Sequence, residues 1–317
     1  MKEERTGISV IIPCFNEEPN LDELIKRLGE FGESNKAISL EIIFVDDCST
    51  DGTYRKLQSY KHENYSCRLI KLSKNCGSHI AFRAGCSIAR HSIVTQTSSD
   101  LQHPLTLITD TLKSMQSNNA DVVIAVRSND YYESLFEKLF SRFYTKLVRK
   151  YAAANYPEGG FDVFMINGRV KALLNKHVED NSSVMLQILS FGLTQNKINY
   201  DKAHRYKGKS KWTLTKKIKL FIDTFVAYSY APLRFLTLTG FFLLFLGVVW
   251  STYLIIRKIT VGDLELGWPM LYSTIILGFG ITNVSLGIIA EYLWRTLDAS
   301  RNRPVFIIDQ DEVLSND

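Results

Sequence analysis

Cysteine is scarce in this chain, and its placement argues against two chemistries at once. The 317 residues hold five cysteines, at 14, 48, 67, 76 and 86. The number is odd and no Cys-x-x-Cys pair occurs, so neither a disulfide framework nor a zinc ribbon is expected; free thiols in a reducing compartment fit better. Charge of one sign is also lacking. The 38 Lys and Arg are nearly balanced by 33 Asp and Glu, leaving +5, and the basic residues gather beside two apolar runs, so nucleic acid is not the expected partner. No Gly-x-Gly-x-x-Gly follows the first apolar run, which removes the signature of a dinucleotide-dependent oxidoreductase. A secretory leader is not expected either. The run Ile8 to Ile12 is too short for one and meets Pro13 and Glu17 at once, so the first region is expected to stay on the side of synthesis.

Charge is absent from two long stretches, Phe235 to Ile256 and Trp268 to Ala290. Each exceeds the roughly 20 residues that cross a bilayer core. Two spans are therefore expected, at 233–257 and 267–294. Before them, Leu214, Ile218, Phe221, Ile222 and Phe225 share one helical face, with Lys216, Lys217 and Lys219 opposite. A basic amphipathic helix at 213–232 is expected to lie in the headgroup plane, the other reading being a surface helix of the globular part. Lysines and arginines concentrate before the first run and after the second, which predicts a multi-pass protein with both termini and the catalytic region cytoplasmic. The lipid bilayer is thus an expected partner.

Residues 8–127 alternate apolar runs with helical patterns. Runs at Ile8–Ile12, Glu41–Val45, Arg68–Leu72, Ile93–Thr97 and Asp121–Val126 read as strands. Leu21–Phe31, Thr53–Tyr60, Ala81–Arg90 and Leu105–Met115 read as helices. This order predicts an α/β domain over 1–212 with a mostly parallel sheet covered on both faces. Polar residues recur just after each strand: Asn16 and Glu17, Asp46 and Asp47, Lys74 and Asn75, Asp100, then Arg127. Such a sheet carries those ends on one edge, which is where open α/β sheets bind ligands. Asp100 is the centre of this reading. It either ligates a divalent cation on a nucleotide-linked substrate or only caps the following helix. Gln102 reads as a contact to the same ligand or as an ordinary polar loop residue, and His103 as a ligand or as a hydrogen-bonded loop residue. The tail at 295–317 contains a strand-like segment, Pro304–Ile308, able to pair with a neighbouring copy in a homo-oligomer.

Ser9-Val10-Ile11-Ile12-Pro13-Cys14-Phe15-Asn16-Glu17-Glu18 resembles the opening strand and loop of glycosyltransferase family 2. Val45-Asp46-Asp47-Cys48-Ser49-Thr50-Asp51-Gly52-Thr53 resembles its nucleotide-binding loop, Asn75 and Gly77 its third block, and Asp100-Leu101-Gln102 with Pro104 its metal-binding block. Arg205 with Gly208-Lys209-Ser210 is similar to the mobile loop of polyprenyl-phosphate glycosyltransferases, and two spans after the catalytic domain match the bacterial bactoprenol glucosyltransferase branch, related to dolichol-phosphate mannose synthase. The resemblance implies a GT-A fold, a UDP- or GDP-linked sugar donor, a polyprenyl phosphate acceptor, a divalent cation (Mg2+ or Mn2+) and inversion at the anomeric carbon, at the bacterial plasma membrane. It implies Pro13, Asn16, Glu17, Asp46, Asp47, Asn75, Lys209 and Ser210 as donor-binding residues. Asp100 and Gln102 become the metal ligands, and Asp100, Arg127, Arg205 and Asp162 the residues at the reaction.

Three positions depart from the family pattern; His103 stands where an acidic residue is frequent, and the other two bear on catalysis. Ser98 stands where the metal triplet commonly has a first aspartate, and Gly160 precedes Phe161 where an aspartate is frequent, with Asp162 after it. These departures motivate a second reading, a catalytically impaired scaffold that binds nucleotide sugar or lipid. A processive polysaccharide synthase is disfavoured because no Gln-x-x-Arg-Trp motif occurs.

Overall fold

The computed structural model describes residues 6–60, 65–128, 142, 144–150, 153–157, 160–178, 183–203, 206, 231–261, 268–300 and 303–314. The chain divides into two compact units, Met1–Phe221 with Pro304–Asp317, and Ile222–Arg303.

The first unit is built on an eight-stranded sheet. Its strands are β1 (Gly7–Cys14), β2 (Ser39–Asp46), β3 (Ser66–Leu72), β4 (Ile93–Gln96), β5 (Val122–Arg127), β6 (Phe161–Ile166), β7 (Gln195–Tyr200) and β8 (Ile308–Val313). The order across the sheet is β7-β5-β6-β4-β1-β2-β3-β8. β6 and β8 are antiparallel to their neighbours, and the other pairings are parallel. The helices are α1 (Leu21–Ser34), α2 (Thr53–Gln58), α3 (Ser78–Ile88), α4 (Thr106–Asn118), α5 (Gly168–Lys176) and α6 (Val184–Ser190). The expected mostly parallel α/β sheet is therefore present.

The central strands are apolar on both faces because helices cover both. On one face Ile8, Val10, Ile12, Ile42 and Phe44 pack with Leu24, Leu28, Ile108, Leu112 and Met115 of α1 and α4. On the other, α3 lies on β1 and β2. A Cβ at Gly85 of α3 would come within 2.7 Å of the Ile11 side chain, so the absence of a side chain there sets how closely helix and sheet approach. Phe82 of α3 meets Phe164 of β6 edge-on with ring centroids 5.0 Å apart.

An apolar run at Val163–Ile166 and an apolar helical stretch at Val184–Phe191 mark β6 and α6 in the sequence, whereas three elements went unread at their observed positions. α5 begins at Asn167, whose side chain accepts the Val170 N–H at 3.1 Å as an N-cap. β7 carries mainly polar residues, Gln-Asn-Lys-Ile-Asn-Tyr, because it is an edge strand buried only in part. β8 is the third. The strand-like tail does pair, but over Ile308–Val313 and with its own chain's β3, Arg68 opposite Val313 and Lys71 opposite Gln310. Arg68 Nε donates to Asp311 at 2.6 Å, while Tyr54 and Gln58 of α2 donate to Glu312 at 2.8 and 2.9 Å.

The second unit contains α7 (Ala231–Val261, 31 residues) and α8 (Trp268–Ser300, 33 residues). Both uncharged runs lie inside these helices. Counted over the described residues alone, no helix is long and apolar enough to cross a membrane; several side chains of both helices fall outside that count. The expected amphipathic helix at 213–232 lies outside the described residues.

Candidate active site

Parallel pairing brings the C-terminal ends of β1 to β5 and β7 to one edge of the sheet. Cys14 sits beside Asp46, and Arg127 beside Tyr200. β6 runs the other way, so its first residues reach the same edge, Phe161 beside Val126. The polar residues flagged at strand ends are thus neighbours by topology.

Beyond β1 and β2 the loops are stitched together. Pro13 closes β1 opposite Val45. Asn16 takes a left-handed conformation with φ 52°, which asparagine tolerates better than most residues. Its N–H donates to Ser49 Oγ at 3.0 Å, and its Oδ1 accepts the Thr50 N–H at 2.8 Å. The Glu17 N–H donates to Thr53 Oγ1 at 2.8 Å, and the buried Glu17 carboxylate accepts from Asn20 Nδ2 at 2.6 Å. Glu18, one residue on, accepts the Gly52 N–H at 2.9 Å.

Asp46 and Asp47 are both buried and differ in what they bind. Asp47 is a clip. Its two oxygens accept the N–H groups of Cys76 and Gly77 at 2.7 and 2.8 Å, and the Asn75 side chain donates to its carbonyl at 3.2 Å. Gly77, at φ 88°, then leads into α3. Asp46 accepts the Ser49 N–H on Oδ2 at 3.1 Å, while Oδ1 is buried with no hydrogen-bond partner among the described residues. Burial raises the Asp46 carboxyl above the ordinary carboxylate range.

Beyond β4 the chain turns through Asp100, which is buried. Asp100 Oδ1 accepts the Gln102 N–H at 3.2 Å, closing a short turn. Leu101 inside it has φ 63°, a conformation that costs a residue with a Cβ roughly 1–2 kcal/mol. The segment after β7 lies across this turn: Ala203 N–H donates to the Gln102 carbonyl at 3.0 Å and Tyr206 N–H to that of Asp100 at 3.3 Å. Asp100 and Gln102 are therefore held from two directions.

Charges collect beside them. Asp162, at the start of β6, accepts from Lys202 Nζ at 2.9 Å and lies 3.9 Å from Arg127 Nε. Burial alone would raise the Asp162 carboxyl, but Lys202 first and Arg127 next hold it well below the usual carboxylate range. It is anionic at neutral pH and a poor proton acceptor. His103 is buried with both ring nitrogens lacking a hydrogen-bond partner among the described residues, edge-on to Tyr200 at 5.9 Å. Desolvation pushes it down to about 4, so the ring is neutral. Ser98 Oγ, Arg127 Nε and Tyr200 Oη are likewise buried without hydrogen-bond partners among the described residues.

Asp100, Gln102, Arg127 and Asp162 thus meet on one side of the edge. Pro13, Asn16, Glu17, Asp46, Asp47 and Asn75 meet at the loops of β1 to β3. Arg205, Lys209 and Ser210 lie outside the described residues. Lys202, Tyr200 and Tyr156 join the charged group without having been expected. Tyr156 Oη lies 3.5 Å from where a Cβ on Gly160 would stand, and Arg127 Nη2 3.6 Å from it. Lys202 follows a strand end, as the expected residues do, and β7 was the unread strand.

Among the described residues no group of three or more His, Cys, Asp or Glu converges to hold a metal ion. The donor set present is one carboxylate, Asp100, with the Gln102 amide and the neutral His103 ring close by in sequence. That set fits a cation that takes most of its oxygen ligands from a bound diphosphate, and does not fit one held by protein alone.

The model of glycosyl transferase family 2 matches residues 9–178, more than half of the chain. The chain belongs to glycosyltransferase family 2. This glycosyltransferase is 28% identical over 302 residues to an uncharacterized glycosyltransferase of Synechocystis sp., covering 95% of this chain and 94% of that one. It is 27% identical over 306 residues to the bactoprenol glucosyl transferase of Shigella phage SfV, covering 96% and 99%. Among solved structures, a mannosyltransferase from Pyrobaculum calidifontis in complex with GDP-Man and Mn2+ aligns with TM-score 0.47 at 16% identity, over 92% of this chain and 88% of that one. Family membership makes it an enzyme of sugar transfer, and its first unit is an α/β domain with a mostly parallel sheet.

Proposed function

We propose that this glycosyltransferase moves a sugar from a UDP- or GDP-linked donor to a polyprenyl phosphate at the cytoplasmic face of a bacterial plasma membrane, inverting the anomeric carbon and supplying a lipid-linked sugar for cell-surface glycans. The observation that carries the reading is a carboxylate, Asp100, and a guanidinium, Arg127, at strand ends of one edge, in a chain that also holds two uncharged runs within long helices. The full-length likeness to a protein named bactoprenol glucosyl transferase supports it.

An acceptor phosphate oxygen attacks the anomeric carbon while the bond to the donor diphosphate breaks and the nucleoside diphosphate departs. The attacking oxygen is already anionic, so the protein's task is to place it, and Asp162 is not needed as a base. Arg127 and Arg205 clamp phosphate oxygens. Lys209 and Ser210 close over the diphosphate. The stitched loops with Pro13, Asn16, Glu17, Asp46 and Asn75 hold the nucleoside, and Asp47 fixes residues 75–77 beneath it. Asp100 and Gln102 would hold Mg2+ or Mn2+. When bound, that cation offsets the charge that develops on the leaving diphosphate.

For the membrane, a helix of 31 residues rises about 46 Å, more than the roughly 30 Å hydrocarbon core. Phe235, Phe241, Phe245, Trp250 and Phe279 are large, apolar and exposed in the isolated chain, which suits lipid as their solvent.

Full-length protein in detergent with Mn2+, a polyprenyl phosphate and labelled donors tests the reading. A polyprenyl-phospho-sugar formed with one of the common donors is expected. Tight nucleotide binding without transfer from any donor would favour the scaffold reading instead.

A further inference from the structure

β8 enters the sheet at the edge that carries the site. It runs antiparallel to β3, with Ile308 opposite Leu72 at the end of β3 and Val313 opposite Arg68. Backbone bonds extend the pairing at both ends. The Ser73 N–H donates to the Ile307 carbonyl at 3.1 Å, and the Leu314 N–H to the Cys67 carbonyl at 2.8 Å. The chain reaches this strand only after the second unit, Ile222–Arg303. Charge on an edge strand ordinarily faces water and guards the edge. Glu312 instead is half-buried and turned toward α2, which packs against β2 and β3. Its Oε1 accepts from Tyr54 Oη at 2.8 Å and from Gln58 Nε2 at 2.9 Å. Tyr54 is the residue after Thr53, where the Asp46–Thr53 loop ends. The Lys71 ammonium lies over the Tyr54 ring, 4.9 Å from its centroid, within the range where a ring face attracts a cation. Lys71 is also the β3 residue in register with Asp46, and cross-strand partners project from the same face of a sheet. Asp46 feels that charge. Burial raises its carboxyl, and the Ser49 hydrogen bonds and then Lys71 oppose the rise.

We propose that Glu312 is a positioning residue for donor binding: by fixing the Tyr54 ring it seats the Lys71 ammonium beside Asp46, the carboxylate that takes the nucleoside. The inference rests on the proposed function at one point, the contact of Asp46 with the nucleoside. Gln58, one turn along α2 from Tyr54, holds the Glu312 carboxylate from a second direction, so the bond to Tyr54 keeps its geometry. With Lys71 seated, the anionic form of Asp46 is favoured although the group is buried. An ionised acceptor makes stronger hydrogen bonds to the N–H groups of a base or the hydroxyls of a ribose. Residues that precede and follow the second unit in the chain therefore build one donor site.

Isothermal titration of full-length protein with UDP and, separately, GDP in the presence of Mn2+ reads the effect, the nucleotide that binds the wild type being the reporter. Glu312→Leu is expected to weaken its binding by about fivefold to tenfold. Tyr54→Phe keeps the ring and loses the bond to Glu312, and is expected to give a loss of the same size; it decides the matter from the other partner should Glu312→Leu not fold. Glu312→Gln, whose amide oxygen still accepts from Tyr54, is expected to restore most of the affinity. Asp311→Ala, which removes a neighbouring contact of the same strand, is expected to leave it unchanged. Asp46→Asn is expected to weaken binding by about tenfold, and Glu312→Leu to cost nothing further in that background, because its path ends at the same carboxylate. A merely structural strand would weaken binding equally in both backgrounds. Wild-type affinity in Glu312→Leu and Tyr54→Phe, or an equal loss with and without Asp46→Asn, would overturn the inference with the donor reading intact. Unchanged affinity in Asp46→Asn would remove Asp46 from the donor site, and failure of the wild type to bind either nucleotide would remove the donor reading, each taking this inference with it.

Discussion

The two halves of the sheet edge are built on opposite terms. On the β1–β2 side nearly every polar group already has a partner inside the protein. Asn16 is joined to Ser49 and Thr50, Glu17 to Thr53 and Asn20, and Asp47 to Cys76 and Gly77. Among the described residues Asp46 Oδ1 is one exception. On the β4–β7 side Ser98 Oγ, both His103 nitrogens, Arg127 Nε and Tyr200 Oη are buried without hydrogen-bond partners among the described residues. Buried polar atoms without partners cost about 1–3 kcal/mol each. The first half is thus a finished scaffold that presents a shape, and the second carries an electrostatic debt suited to anionic ligands. Substitutions should separate the two, costing stability in one half and activity in the other.

The largest effect is expected at Asp100. Asp100→Ala should lower transfer by about a thousandfold or more with expression and thermal stability kept; a wild-type rate would remove Asp100 from the reaction. Asp47→Ala should behave in the reverse manner. It strips two buried charge-assisted hydrogen bonds and should destabilise the first unit by roughly 4 kcal/mol. Thermal unfolding followed by far-ultraviolet circular dichroism measures this, and an unchanged midpoint would show that the clip is dispensable.

A third effect depends on pH. His103 is held neutral down to about 4, chiefly by burial, while in the unfolded chain it takes up a proton near 6.5. Between those values the unfolded state binds more protons, so stability falls as pH drops from 6.5 toward 4, by at most about 3 kcal/mol for this residue. His79 is lowered in the same way and adds to the slope. Asp162, whose carboxyl is lowered, loses its contribution only below the ordinary carboxylate range. His103→Gln should flatten the acid limb of the stability profile without removing it, and an unaltered profile would contradict the burial of a neutral ring. The smallest effect is expected outside both halves. Asp311→Ala removes the partly exposed pair with Arg68 and should cost at most about 1 kcal/mol, read in the same unfolding experiment.

The alternation of β1 to β5 with α1 to α4 could be read from the sequence because buried parallel strands appear as apolar runs and their covering helices as one-sided patterns. Asp100 and Arg127 could be placed for the same reason, since a residue after a recognised strand lands on a known edge. Reading failed where burial is partial. β7 and β8 are polar edge strands without such runs, so Tyr200 and Lys202 had no strand end to mark them, and the tail's return to β3 is a long-range pairing with no local signal. Asp47 shows a different limit. Its position was recognisable, but its service to the Cys76 and Gly77 amides depends on where a loop from β3 arrives.

Manganese titrated onto the full-length protein, with the free ion read by electron paramagnetic resonance, tests the contrast between the halves most directly. One carboxylate, with no three-ligand cluster among the described residues, predicts weak binding alone, binding tighter by about tenfold or more once nucleoside diphosphate is present, and loss of that gain in Asp100→Asn. Equal affinity with and without nucleotide, or a gain that survives Asp100→Asn, would contradict the account.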